Sequence, residues 1–264
     1  MFCRDIMDII EKRYPREYAM EWDNVGLLAG RDDKEIHRIY IAVDATDEVI
    51  DAAIAIHADM LVTHHPMIFG SMRQINNRDF IGKRIIKLIQ NDISYYAMHT
   101  NYDVLGMSEL SAKLLELKNA QVLETTYCSD HAGEHKMEGI GRIADLSQPV
   151  SLGSYCNQVK KIFQLEYVKL FGNPDMIIRR VAICPGSGKS VIQTAIEKQA
   201  DVLVTGDIGH HEGIDAVAQD LAIIDAGHYG IESIFINDMQ QYLTENLNGI
   251  EVTGAPIHHP FMIV

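Results

Sequence analysis

Two periods of apolar positions alternate along this chain, and each switch between them predicts a change of element. Ile6, Ile9, Ile10 and Tyr14 recur at helical spacing, predicting an opening helix within 5–20 that Pro15 interrupts. Trp22-Asp23-Asn24-Val25-Gly26-Leu27-Leu28 reads as a turn into a short apolar strand. The run 38–43 predicts a strand, Asp44-Ala45-Thr46-Asp47 a loop with Asp47 or Thr46 as N-cap, and 48–58 a helix. Then Asp59-Met60-Leu61-Val62-Thr63 predicts a buried strand that stops abruptly at His64-His65-Pro66. Pro66 prevents that strand from continuing as an inner one, so two imidazoles are delivered to its carboxyl end, the edge where open α/β sheets bind ligands.

Beyond it, 67–79 is a polar excursion with Arg73, Asn76, Asn77 and Arg78. A helix is predicted over 79–91, from Phe80, Ile81, Ile85, Ile86, Leu88 and Ile89, and a strand over 93–98 that ends in His99-Thr100-Asn101-Tyr102-Asp103. A further helix is expected from Ser108 to Leu117. Around 125–136 the composition turns polar (Thr125, Thr126, Ser129, Asp130, His131, Gly133, Glu134, His135), which predicts a crossing between domains. Gly139-Ile140-Gly141-Arg142 reads as a strand, 151–163 as a helix and 166–170 as a short strand.

The pattern then repeats. Residues 37–63 laid without a gap over 179–205 match Arg38 to Arg180, Val49-Ile50 to Val191-Ile192 and Ala53-Ile54 to Ala195-Ile196. The same alignment matches Ala58-Asp59 to Ala200-Asp201 and Leu61-Val62-Thr63 to Leu203-Val204-Thr205. A weaker match links strand 93–98 to 221–226. Two similar α/β lobes from an internal duplication are the simplest account. We expect the first lobe over 1–125, joined by a C-terminal strand within 250–264, and the second over 126–249.

Composition narrows the functional classes. The 264 residues carry a formal net charge of −14, which argues against nucleic acid as the partner, because that binding rests on Lys and Arg neutralising phosphates. No apolar run approaches the roughly 20 residues of a membrane span, and the first residues lack a signal-type apolar core, so the expectation is no membrane and a cytoplasmic location. Cys3, Cys128, Cys156 and Cys184 are scattered without Cys-x-x-Cys spacing and read as free thiols, not as a disulfide framework or a cysteine zinc site. Twelve histidines in an acidic chain point instead towards metal.

Four strand-end loops carry candidate chemistry: 64–66, 99–103, Gly206-Asp207-Ile208-Gly209-His210-His211, and Asp225-Ala226-Gly227-His228-Tyr229-Gly230-Ile231-Glu232. Their imidazoles and carboxylates suit zinc, iron or manganese. His228 and Glu232 share a face if a helix begins near 228, with Gly227 and Gly230 allowing a close turn. If the lobes face each other, the loops converge on a metal site in the cleft between them. Three histidines (His64, His65, His228) and two carboxylates (Asp103, Glu232) exceed what one open catalytic zinc needs. A pair of ions about 4 Å apart, sharing a carboxylate, fits that set. His37, His57, His131 and His135 read as surface residues, and His258-His259-Pro260 as a structural imitation of the opening motif. Gly186-Ser187-Gly188-Lys189-Ser190 is a decoy: a P-loop needs an earlier glycine where Ile183 stands, so a tight βα turn is the expectation.

The stretches Trp22 to Leu27, Leu61 to Pro66, His99 to Asp103, Thr205-Gly206-Asp207 with His211, and Asp225 to Tyr229 with Glu232 resemble the Nif-three-like family of dinuclear-metal proteins, many of which bear the name GTP cyclohydrolase type 2 homologue. The resemblance implies ligation of two divalent ions, zinc foremost with iron and manganese also compatible, by His64, His65, Asp103, His228 and Glu232. It also implies a two-lobed α/β fold and a toroidal homohexamer. Tyr102 stands where a smaller aliphatic residue is expected, His258-His259 replaces a less basic tail, and the insertion some relatives carry between the lobes is absent, so this is a short form. The implied activity is that of a metal-dependent hydrolase on a nucleotide or related anionic substrate. Water activated at the ions would attack a carbon such as guanine C8 of GTP and release formate, with His211 and His99 transferring protons. The alternative is a protein that binds or delivers metal without turnover; metal exchange to an apo-acceptor separates the two.

Overall fold

The computed structural model describes residues 1–131 and 134–264; the side chains of His131 and His135, read above as surface histidines, lie outside the described residues. In chain order its elements begin with α1 (Cys3–Arg13), β1 (Gly26–Ala29), β2 (Arg38–Ala42), α2 (Asp47–Ala55), β3 (Met60–Thr63), α3 (Phe80–Gln90) and β4 (Ser94–Ala97). A single turn α4 (Thr100–Tyr102) runs on through a π-helical turn into α5 (Ser108–Leu114). There follow β5 (Gln121–His131), β6 (Glu134–Ser151), α6 (Leu152–Ile162), β7 (Lys169–Phe171), β8 (Ile177–Ser187), α7 (Ile192–Glu197), β9 (Val202–Gly206) and α8 (His210–Val217). The chain closes with β10 (Ala222–Asp225), α9 (His228–Glu232), α10 (Ile234–Asn246) and β11 (Glu251–Gly254). No helix among the described residues is long and apolar enough to cross a membrane.

These elements form two compact units, Met1–Tyr102 with Phe235–His258, and Asp103–Ile234 with His259–Val264. The first holds a five-stranded sheet in the order β1-β4-β3-β2-β11. Its inner strands β3 and β4 are buried at every position, as near-continuous apolar runs covered on both faces should be. Thr46 caps α2 by accepting from Val49 N at 3.2 Å, and Asp79 caps α3 by accepting from Gly82 N at 2.8 Å. The C-terminal strand is shorter than the range 250–264 suggests: only Glu251–Gly254 pairs, in parallel, with β2.

The second unit holds a six-stranded sheet in the order β5-β6-β8-β9-β10-β7. Alternate residues of its inner strands feed opposite faces. Val181, Ile183, Val202, Val204 and Ile224 pack with Leu152, Tyr155 and Val159 of α6, while Ala182, Cys184, Leu203 and Ile223 pack with Ala195 of α7 and Ala216 of α8. Each of the buried Val, Leu and Ile side chains contributes about 1.5–3 kcal/mol against exposure. Of the polar stretch 125–136, expected as a crossing between domains, residues 125–131 lie in β5 and 134–136 in β6, which pair antiparallel from Gln121↔Ile143 to His131↔Glu134. The composition there misleads because much of β5 is exposed or only half-buried, so little apolar alternation is required of it.

The duplication is legible in the register. Ile39↔Met60, Tyr40↔Leu61 and Ile41↔Val62 of β2–β3 have counterparts in Val181↔Val202, Ala182↔Leu203 and Ile183↔Val204 of β8–β9. Met60↔Ser94 likewise corresponds to Val202↔Ala222. Each copy is also locked by an aspartate. Asp59 Oδ2 accepts from His37 N at 2.8 Å and Arg38 N at 3.0 Å; Asp201 Oδ2 accepts from Arg179 N at 2.6 Å and Arg180 N at 2.8 Å.

Candidate metal centre

In the first unit the loop after β3 is held by Tyr95. Its buried hydroxyl donates to His65 O at 3.1 Å and accepts from Met67 N at 2.8 Å, and burial pushes its pKa up to about 12. His64 is fully buried, and its Nδ1 donates to Met98 O at 3.0 Å. A carbonyl only accepts, so Nδ1 carries a proton, and Nε2 is the nitrogen left for a metal or a second proton. The same logic governs His65, whose Nδ1 meets Asp44 Oδ1 at 2.8 Å, and His99, whose Nδ1 meets Asp23 Oδ1 at 2.9 Å. Asp23 also accepts from Thr100 N at 2.9 Å and Thr100 Oγ1 at 2.5 Å. Burial would raise the Asp23 carboxyl, but these bonds, led by His99, hold it below its ordinary range. One ring nitrogen from each of His64, His65 and His99 lies within 4.8 Å of the others, a group that could hold a metal ion.

In the second unit a helix does begin at His228. Gly227, at φ 75°, supplies the turn before it, a backbone state that costs glycine little. His228 and Glu232 share a face of α9, with His228 Nε2 3.1 Å from Glu232 Oε2. That separation is an ion-pair distance, and it sets two metal-competent groups side by side. His228 Nδ1 meets Asp207 Oδ2 at 2.7 Å. Burial alone would lower the His228 pKa; the carboxylates of Glu232 and then Asp207 reverse this and raise it to about 9. The thiol of Cys184 is pushed up by burial first and then by the charges of Asp103 and Glu232.

Four imidazoles therefore offer Nδ1 to a carboxylate or carbonyl, the arrangement that orients metal-ligating histidine. The donor set fits divalent cations of the zinc, iron or manganese kind. His211 is different: it is exposed in the first turn of α8, beside His210, and joins no cluster of metal-competent groups among the described residues. His37, His57, His258 and His259 are also exposed.

Sequence reasoning assigned no role to Asp23, Asp44 or Asp207. The available signal is topological: Asp44 follows β2 and Asp207 follows β9, each the parallel neighbour of the strand that precedes its histidine. Gly186 was also missed. In the decoy stretch Gly186 and Ser187 end β8 and Gly188–Val191 is a 3-10 turn leading into α7, a short strand-to-helix connection; a Cβ on Gly186 would stand 2.5 Å from Glu232 Oε1, and its φ of +74° favours glycine.

The family Duf34/NIF3 (NGG1p interacting factor 3) matches residues 1–260. The chain belongs to this family. Among Duf34/NIF3 relatives, a protein of Clostridium acetobutylicum named GTP cyclohydrolase 1 type 2 homolog is 33% identical over 231 residues, 87% of this chain and 84% of that one. One of the same name from Streptococcus pneumoniae is 34% identical over 251 residues, 93% and 91% of the two chains. A Bacillus cereus protein related to NIF3 superposes with a TM-score of 0.92 at 26% identity, covering 100% of this chain and 99% of its own. Reduced HcgD from Methanocaldococcus jannaschii superposes at 0.81 with 29% identity, covering 96% and 97%.

Proposed function

We propose that this Duf34/NIF3 protein is a metal-dependent hydrolase of a nucleotide or related anionic substrate, GTP foremost, in which His64, His65, Asp103, His228 and Glu232 hold two divalent cations. The carrying observation is that His64, His65 and His99 each engage Nδ1 with a carbonyl or carboxylate, which turns Nε2 towards ligation or proton acceptance, while His228 is held at Nδ1 by Asp207 and faces Glu232 through Nε2.

Bound cations of this class supply Lewis acidity, bringing the pKa of water towards neutrality and polarising the electrophile. The chain's residues do the rest. Asp44 and Asp207 orient His65 and His228 through Nδ1. His99 takes a proton at Nε2, and Asp23, hydrogen-bonded at Nδ1, stabilises the imidazolium that results. His211, exposed at the start of α8, is the second proton-transfer group. The names borne by relatives support a purine ring as the electrophile. The reading carries with it a cytoplasmic homo-oligomer, a toroidal hexamer, whose mass analytical ultracentrifugation measures.

Elemental analysis of the purified protein should find a pair of divalent ions per chain, with zinc the first expectation. The loaded protein should release formate from GTP. No formate or ring-opened product from any nucleotide, with both ions bound, would remove the assignment.

A further inference from the structure

We propose that Trp22 and Phe69 form an aromatic platform that receives the planar ring of the substrate, a purine or similar heteroaromatic base, beside His99. Both side chains are large and exposed, Trp22 by 60% and Phe69 by 56%. One exposed aromatic residue is ordinary on a protein surface. These two come from separate segments, the turn before β1 and the excursion after β3, and meet at the same imidazole. The Trp22 ring lies 5.9 Å from the His99 ring at an interplanar angle of 74°, and the Phe69 ring lies 6.0 Å from it at 82°.

The two segments are tied together, so the arrangement is built. Asn24 Nδ2 donates to Ile68 O at 2.6 Å, anchoring the backbone immediately before Phe69 to the residue two beyond Trp22. Between them Asp23 grips His99 and Thr100. In Trp22-Asp23-Asn24 the first residue offers a ring face, the second fixes an imidazole and the third positions the other ring. Each ring stands near-perpendicular to His99, so a base stacked on either one meets the imidazole at a steep angle. Stacking on aromatic side chains is tolerant of base identity, so the platform selects a class of ligand and not one base.

The inference rests on reading the His64–His65–His99 cluster as part of the reaction centre, but its test needs no turnover. Trp22 is the chain's one tryptophan, so its fluorescence reports on the platform alone. Titration with guanosine or adenosine should quench it saturably, both in protein as purified and after chelation, whereas ribose should not. Phe69→Ala, which keeps the reporter, should weaken nucleoside binding about tenfold. The proposal is overturned by nucleosides that leave the emission unchanged, by Phe69→Ala binding as tightly as the wild type, or by emission that follows protein concentration alone, which would mean a second copy covers the rings. Saturable quenching without formate release from GTP would remove the hydrolase and keep the platform. Formate release with unaltered KM for GTP in Trp22→Ala and Phe69→Ala would do the reverse.

Discussion

The two copies of the βα repeat, 37–63 and 179–205, run in the same strand register and are clamped by equivalent aspartates, Asp59 and Asp201. They differ where the strands end. Beyond β3 the first copy places His64 and His65, while beyond β9 the second places Asp207. At the βα turn, Asp44 orients His65 in the first copy; its counterpart Gly186 lies against Glu232 in the second. One scaffold, kept in its hydrogen-bonded interior, has thus been given imidazoles on one side and carboxylates with a single imidazole on the other. Buried strand register tolerates little change, since a one-residue slip turns every side chain to the wrong face; strand-end loops carry no such constraint.

The sharpest way to break this comparison is to remove a donor from each copy's unit. His64→Ala and Glu232→Gln should each lower nucleotide turnover by more than about 100-fold, beyond what loss of an orienting partner costs. Metal content measured alongside should fall in both. If only one of the two loses metal or activity, the units do not both contribute ligands. Next in size are the orienting acids: Asp23→Asn and Asp207→Asn should each weaken metal affinity or activity about 10–100-fold, read by competition with a chelator and by turnover. An effect from one and none from the other would make the matching geometry at His99 and His228 incidental.

The smallest effects concern the clamps. Asp59→Asn and Asp201→Asn should each destabilise the fold by about 1.5–3 kcal/mol in urea denaturation, since each removes the charge that accepts two backbone N–H groups. Burial would raise the Asp59 carboxyl, but bonds from His37 N, Arg38 N and Lys34 bring it below its ordinary value. A depressed carboxyl contributes stability that is complete above the unfolded carboxylate pKa and is lost as pH falls through the folded one. Wild-type stability should therefore decline on acidification more steeply than that of Asp59→Asn. Parallel pH curves for the two would exclude the clamp as a charge-dependent element.

Much of this protein was legible along the chain. The apolar run 59–63 and the breaker Pro66 located β3 and its two histidines, and the four-residue spacing of His228 and Glu232 anticipated a shared face of α9. Of β5 and β6 only 139–142 was legible as strand; β5 was not, because its exposed and half-buried positions free it from apolar alternation. Nor were Asp44 and Asp23 as holders of His65 and His99, since they stand 21 and 76 residues away from them.

What the amino-acid order determined by itself were the elements, the duplication and the donor-bearing strand ends, because burial periodicity and turn chemistry act over a few residues and leave their mark locally. Which nitrogen of each imidazole is committed, which glycine makes room for Glu232, and which two aromatic rings flank His99 were decided only by tertiary structure. Those are meetings of side chains from separate segments, and hydrogen-bond direction and ring orientation exist only once the strands have paired and brought them together.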